Sequence, residues 1–208
     1  MDIDYAKARR LLGRRDPILR DLMRVHGACG LANAQHTDPF KALVHAIVSQ
    51  QLSTHAAATI ARRFDALFTD GLPTPAALVV FPDDRLRACG LSFQKIRYMR
   101  DLCRCIDEGL LPLDSLDRMA DDEVIAALTQ VKGIGRWTAE MFLMFRLHRP
   151  DVLPVGDLGI VKAIQKVYGL RKVPTPERMT RIGESWRPYR SVACWYLWKS
   201  LHNAPLKE

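Results

Sequence analysis

Between Leu128 and Ile160 the chain reads LTQVKGIGRWTAEMFLMFRLHRPDVLPVGDLGI, and most of the residues whose type and spacing could do chemistry lie there. Gly133 and Gly135 bracket Ile134 between two helical patterns. Glycine at such places permits positive φ and lets another backbone come close, while Ile134 can tuck between the helices and hold their angle. Arg136, Trp137 and Thr138 open the second helix, where unsatisfied N–H groups and the positive dipole end face outward. A nucleic-acid phosphate is the natural anion to dock there, and Lys132 and Arg136 add charge beside it. The same turn also serves as an ordinary helix corner with no ligand, the commoner use of a lone Gly-hydrophobic-Gly. Further on, one carboxylate, Asp157, stands just ahead of another helical pattern, where aspartate is a frequent N-cap.

The elements that must position these residues read as helices almost throughout. Tyr5 to Leu12 and Pro17 to Val25 form two short helices, the second entered through Asp16 as N-cap with Pro17 at N1. Asp38-Pro39 repeats the device ahead of a helix whose Phe40, Leu43, Val44 and Ile47 share one apolar face. Ser53 caps a helix through Phe68, and shorter helices follow at Pro75–Val80 and Asp83–Ala88. Ser92 caps the next, to about Glu108, and Asp121 opens the helix that enters the hairpin. Beyond Asp157, helices run from Leu158 to Tyr168, Pro176 to Trp186 and Tyr189 to His202. No stretch alternates convincingly as a strand. The expectation is an all-α fold: two helical lobes around a cleft, residues 1–35 with 150–208 in one and 36–149, with the hairpin, in the other.

Composition narrows the partners. Lys and Arg total 31 against 23 Asp and Glu, a formal charge of +8, which favours a polyanion. No apolar run approaches the roughly 20 residues that span a bilayer, and MDIDYAKARR lacks the layout of a signal peptide. An intracellular protein is expected, cytoplasmic in a bacterium or nuclear in a eukaryote. Its five cysteines read as free thiols, without zinc or iron–sulfur spacing. His45 and His55 read as structural residues in a buried region, His148 as one among basic neighbours, and Trp186, Trp195 and Trp198 as core.

Taken together, VKGIGRWTAEMF followed by LPVGD resembles the helix-hairpin-helix superfamily of base-excision DNA glycosylases. Asp157 stands 22 residues after Gly135, where that superfamily places its catalytic aspartate. Upstream, IVSQQLS at 47–53 is similar to the segment with which alkylation-repair members fill the gap left in DNA. Downstream, WRPYRSVACWYLW resembles the C-terminal signature of the same branch. The likeness covers about residues 38 to 202, in three separated motifs in the right order.

What the resemblance implies can be stated residue by residue. Bifunctional relatives carry a lysine where this chain has Trp137. Without that amine, Schiff-base chemistry and strand cleavage are not expected. The four-cysteine iron–sulfur signature is also missing, so the likeness points to the monofunctional 3-methyladenine DNA glycosylase II (AlkA-type) branch. Its substrate, duplex DNA with an alkylated purine, has a cationic leaving group that needs no strong general acid. Asp157 would stabilise the oxocarbenium charge and activate water, and Trp137 and Tyr189 would wall the base pocket. Gln51 would be the wedge once the base is extruded, with Gln50 and Ser53 nearby; the bland reading of SQQLS is a polar helix end capping its own backbone. The family also binds a monovalent cation, Na or K, through backbone oxygens that here belong to Thr129, Val131 and Ile134; no other cofactor is implied. Larger AlkA proteins have an N-terminal β-rich domain, whereas this chain begins almost directly with the helical part. The expected protein is a monomer that excises alkylated purines. The alternatives are the same scaffold on deaminated or etheno purines, or a non-catalytic damage-binding protein.

Overall fold

Residues 3–33, 38–68 and 73–201 are described by a computed structural model. Among them lie twelve α-helices and no strand: α1 (Tyr5–Arg15), α2 (Pro17–His26), α3 (Pro39–Ser49), α4 (Thr54–Asp65), α5 (Pro75–Val80), α6 (Asp83–Ala88), α7 (Phe93–Asp107), α8 (Asp121–Thr129), α9 (Arg136–Phe145), α10 (Leu158–Val167), α11 (Pro176–Gly183) and α12 (Arg190–Lys199). The all-α expectation holds. The helix end expected at His202 lies outside the described residues. The chain divides into two compact units, one of residues 36–142 and one of 1–35 with 143–208. The dividing point falls inside α9.

Short polar residues set the helix starts. Asp16, Asp38, Ser53, Thr74, Ser92, Asp157 and Thr175 each accept an amide N–H of the first turn, satisfying donors that the helix leaves unpaired. In the unit of residues 36–142, α3 buries Phe40, Leu43, Val44 and Ile47 as one face and packs on α4 and α7. Each such side chain contributes about 1.5–3 kcal/mol by leaving water. Lys95 on α7 reaches the Val48 carbonyl (2.8 Å) at the end of α3. Arg100 donates to the carbonyls of Leu78 and Phe81 at the end of α5, and to Asp83.

Three helix ends depart from expectation, the first being α1, which runs on to Arg15 rather than stopping at Leu12. α4 stops at Asp65 rather than Phe68. Leu67 and Phe68 bond back three residues instead of four, which turns Phe68 in between Phe64 and Phe81, ring centroids 5.1 and 5.0 Å away. The helix expected over 176–186 stops at Gly183, and Glu184–Trp186 form a tighter 3₁₀ turn. Trp186 is fully buried at the end of that turn, its indole N–H on Asp16 Oδ2 (2.9 Å).

The unit of residues 1–35 and 143–208 is organised around that carboxylate. Asp16 caps α2 through the amides of Ile18 and Leu19 and accepts Tyr168 Oη–H as well as the Trp186 indole. Every donor to this buried group is thus a fold contact. α12 packs against α1, α2 and α10; its Tyr196 is fully buried and donates to the Gly27 carbonyl (2.8 Å).

Candidate active site

The hairpin between α8 and α9 is held from below by α7. Asp101, 8% exposed, accepts the Lys132 amide on Oδ2 (2.8 Å) and two Arg104 N–H groups on Oδ1 (3.1 and 3.0 Å). Burial alone would raise its pKa, but the Lys132 amide and the Arg104 guanidinium outweigh it and hold the carboxyl below its usual value. Gly133 has φ +84°, and a Cβ there would lie 2.2 Å from Tyr98 Cδ2, so both conformation and space demand glycine. Its carbonyl accepts Gln50 Nε2–H (2.7 Å). Gln50, Tyr98 and Asp101 thus fix the turn, and only the first belongs to a motif that stands out in the sequence.

Ile134 is buried as expected, its amide on the Val131 carbonyl (3.0 Å). Gly135 differs from Gly133: it has no positive φ, and nothing lies within 4 Å of where its Cβ would be. The side of Gly135 where its Cβ would stand, just ahead of α9, is therefore open. Lys132 is exposed, and Trp137 is 49% exposed. Arg136 is exposed but donates to the buried Glu140 (3.0 Å). Thr138 is buried, so any ligand contact at this position falls to its main chain.

The candidate wedge lies at the corner between α3 and α4. Gln50 ends α3 and turns to the hairpin. Gln51 is exposed with φ +56°, a left-handed conformation that non-glycine residues adopt at a cost of about 1–2 kcal/mol. Ser53 does the bland work: its Oγ caps α4 on the Ala56 amide (3.3 Å).

Asp157 also caps a helix. Its Oδ1 accepts the Ile160 amide (2.7 Å) and the Trp198 indole N–H (2.9 Å), and the residue is 8% exposed. Trp198 is therefore not the core residue expected; it is partly exposed, stacks on Phe145 (5.8 Å between centroids) and grips the carboxylate. Gly159 leaves the room for this, since a Cβ there would lie 2.9 Å from Asp157 Oδ1 and 3.0 Å from Trp198 Cδ1.

The loop that delivers Asp157 is tied along α12. Arg190 binds Asp151 through Nε (2.7 Å) and its main-chain carbonyl through Nη2 (2.6 Å). The Ser191 hydroxyl donates to the Arg149 carbonyl (2.6 Å) and accepts the Val152 amide (3.0 Å). Trp198 then holds Asp157 two turns on. Residues 190, 191, 194 and 198 follow one face of a helix, and Cys194 on that face reaches toward the Val152 carbonyl. The RPYRSVACWYLW stretch thus acts as a rail for the loop. Tyr189, partly exposed, precedes its first turn.

The remaining expectations concern metals and thiols. All five cysteines are free and buried, and burial pushes the Cys29 and Cys103 thiols up to about 11, which keeps them protonated. No group of three His, Cys, Asp or Glu is placed to hold a metal among the described residues. His45 pairs with Asp65 (2.8 Å), but His55 is exposed rather than buried, because it sits on the outer side of the first turn of α4. No helix among the described residues is long and apolar enough to cross a membrane. At the hairpin, the Val131 carbonyl takes the Ile134 amide and keeps a second lone pair. The Thr129 hydroxyl turns back to the Ile125 and Ala126 carbonyls. That leaves main-chain oxygens as the donors there, a type that suits a hard cation.

This arrangement matches known proteins. A DNA-3-methyladenine glycosylase of Schizosaccharomyces pombe is 39% identical over 165 residues, covering 78% of this chain and 72% of that protein. A solved structure of the S. pombe 3-methyladenine DNA glycosylase in complex with abasic DNA superposes with a TM-score of 0.82 at 34% identity, covering 97% of this chain and 100% of that one. A crystallised DNA-3-methyladenine glycosidase of Bacillus halodurans gives 0.84 at 37% identity, over 97% and 91% of the two chains. The family model for the HhH-GPD superfamily base excision DNA repair protein matches residues 44–188, from α3 to the residue before Tyr189. With hairpin, aspartate loop and most of the helices inside that match, the chain belongs to the HhH-GPD superfamily of base excision DNA repair proteins.

Proposed function

We propose that the chain is a monofunctional DNA glycosylase that flips alkylated purines, of the 3-methyladenine and 7-methylguanine type, out of duplex DNA and hydrolyses their N-glycosidic bond. The observation that carries this reading is the Asp157 carboxylate, locked by the Ile160 amide and the Trp198 indole in a chain whose relatives are named 3-methyladenine glycosylases.

In the proposed reaction the glycosidic bond breaks with its electron pair going to the purine, whose positive charge is thereby neutralised. The sugar carbon left behind carries oxocarbenium character, which the Asp157 carboxylate stabilises. Water adds its oxygen to that carbon, and its proton passes to Asp157 or to solvent. The half-exposed Trp137 indole and the Tyr189 ring touch the extruded base, where a cationic purine gains from stacking and cation–π attraction. Gln51 fills the gap in the duplex, and the amides at the start of α9, with Lys132, meet a phosphate. A monovalent cation at the hairpin would be held by the main-chain oxygens of Thr129, Val131 and Ile134 and would supply fixed positive charge beside that phosphate. Trp137 offers no amine, so the abasic product stays uncut.

Incubation with methylated duplex DNA, with released bases identified chromatographically, tests this. Wild type should release alkylated purines, and Asp157→Asn, which keeps a capping oxygen, should slow release by at least about 100-fold. Product DNA should nick only after alkali. Tight binding to damaged DNA without release would leave a damage-binding protein, and equal release by Asp157→Asn would refute the mechanism.

A further inference from the structure

We propose a second DNA-phosphate site, in a groove between α1 and α2 made of residues outside the hairpin. The groove is open to solvent, has a volume of about 910 Å³, and is lined by Arg9, Arg10 and Arg14 from α1 and by Arg20 and Arg24 from α2. Its floor is kept low by Gly13, where a Cβ would come within 3.3 Å of Met23 Cε. Arg10 with Arg14, and Arg20 with Arg24, are i,i+4 pairs, so like charges sit side by side on each helix, an arrangement that costs helix stability.

Among the described residues, one surface carboxylate is all that meets this cluster. Asp16 is buried and engaged by Tyr168, Trp186 and two amides, and Asp4 caps α1 on the Lys7 amide. Arg9 donates to the Met23 carbonyl. Only Arg24 has a carboxylate partner, the exposed Asp21 at 3.5 Å; Arg10, Arg14 and Arg20 make no ion pair among the described residues. A groove of five guanidiniums beside one surface carboxylate fits a row of phosphates, whose oxygens match the guanidinium fork. No aromatic side chain lines it, whereas a protein partner would anchor on such residues. The choice of DNA over another polyphosphate rests on the DNA partner of the proposed function, and not on its excision chemistry.

The test is binding of undamaged duplex DNA across a salt series, for wild type, Arg10→Gln/Arg14→Gln and Arg20→Gln/Arg24→Gln. A control, Arg171→Gln/Lys172→Gln, removes the same charge from an exposed segment elsewhere in the same unit. Each groove pair should lower the slope of log affinity against log salt by about 1–2 and weaken binding several-fold, with melting temperatures unchanged or slightly raised as the like-charge pairs are relieved, and the control near wild type. Unchanged slopes in both groove pairs would overturn the site, as would an equal loss in the control, since that reports net charge alone. Wild type that binds no duplex at all would also sink it. Because the readout is binding to undamaged DNA, absence of base release would defeat the proposed chemistry and leave this result standing.

Discussion

Asp157 and Gln51 put strain and constraint to different uses. At Asp157 one oxygen serves as helix cap and as acceptor for the Trp198 indole, so the carboxylate is oriented before any DNA arrives, which is what electrostatic catalysis requires. Removing the indole donor by Trp198→Phe, or crowding it by Gly159→Ala, should lower kcat about 10- to 100-fold with little change in KM. A comparable rise in KM would mean that Trp198 acts in substrate binding and not through Asp157. Gln51 is held left-handed, and such conformations persist where the surroundings enforce them and function uses them. Gln51→Gly should therefore leave the unfolding midpoint unchanged or slightly raised while base release falls, as read by paired thermal melts and single-turnover rates. The identity of Gln51 was legible in SQQLS; its backbone conformation was not, because it follows from how the α3 and α4 ends meet.

At the scale of elements, helix starts were readable, while some helix ends were not. Asp16, Asp38, Ser53, Ser92 and Asp157 announce themselves because a cap is a local bond spanning three residues. The ends at Asp65 and Gly183 were set instead by distant partners, Phe81 and Asp16. The same contrast holds in the site. The hairpin was plain from Gly-Ile-Gly, yet Asp101 and Tyr98, which hold it, lie more than 30 residues away and look like ordinary helix positions. Trp198 was misjudged as core for the same reason. Asp101→Asn tests the hairpin support: it should cost about 1–3 kcal/mol near neutral pH and weaken DNA binding. Since the folded carboxyl lies below its ordinary 3.8, its contribution is fully present above that value and fades as pH falls through the lower folded one. The difference between wild type and variant, from denaturant midpoints, should be constant above about pH 5 and shrink below about pH 4.

For the whole molecule, the charge excess and the all-helical pattern were visible from composition and periodicity. The unit of residues 36–142 is one continuous stretch, whereas the other is assembled from both ends of the chain. Its bonds join residues far apart in sequence: Trp186 to Asp16, and Tyr196 to Gly27, span 170 and 169 positions. Closing such long loops is entropically slower than forming local helical contacts, and chains are made from the N-terminus. The hairpin and its Asp101 support can thus fold while α12 is still unsynthesised. Trp198 arrives after everything it holds. On the proposed mechanism, the hairpin that meets DNA is therefore complete before the carboxylate is fixed, and a nascent or C-terminally nicked chain is expected to bind without cutting a glycosidic bond.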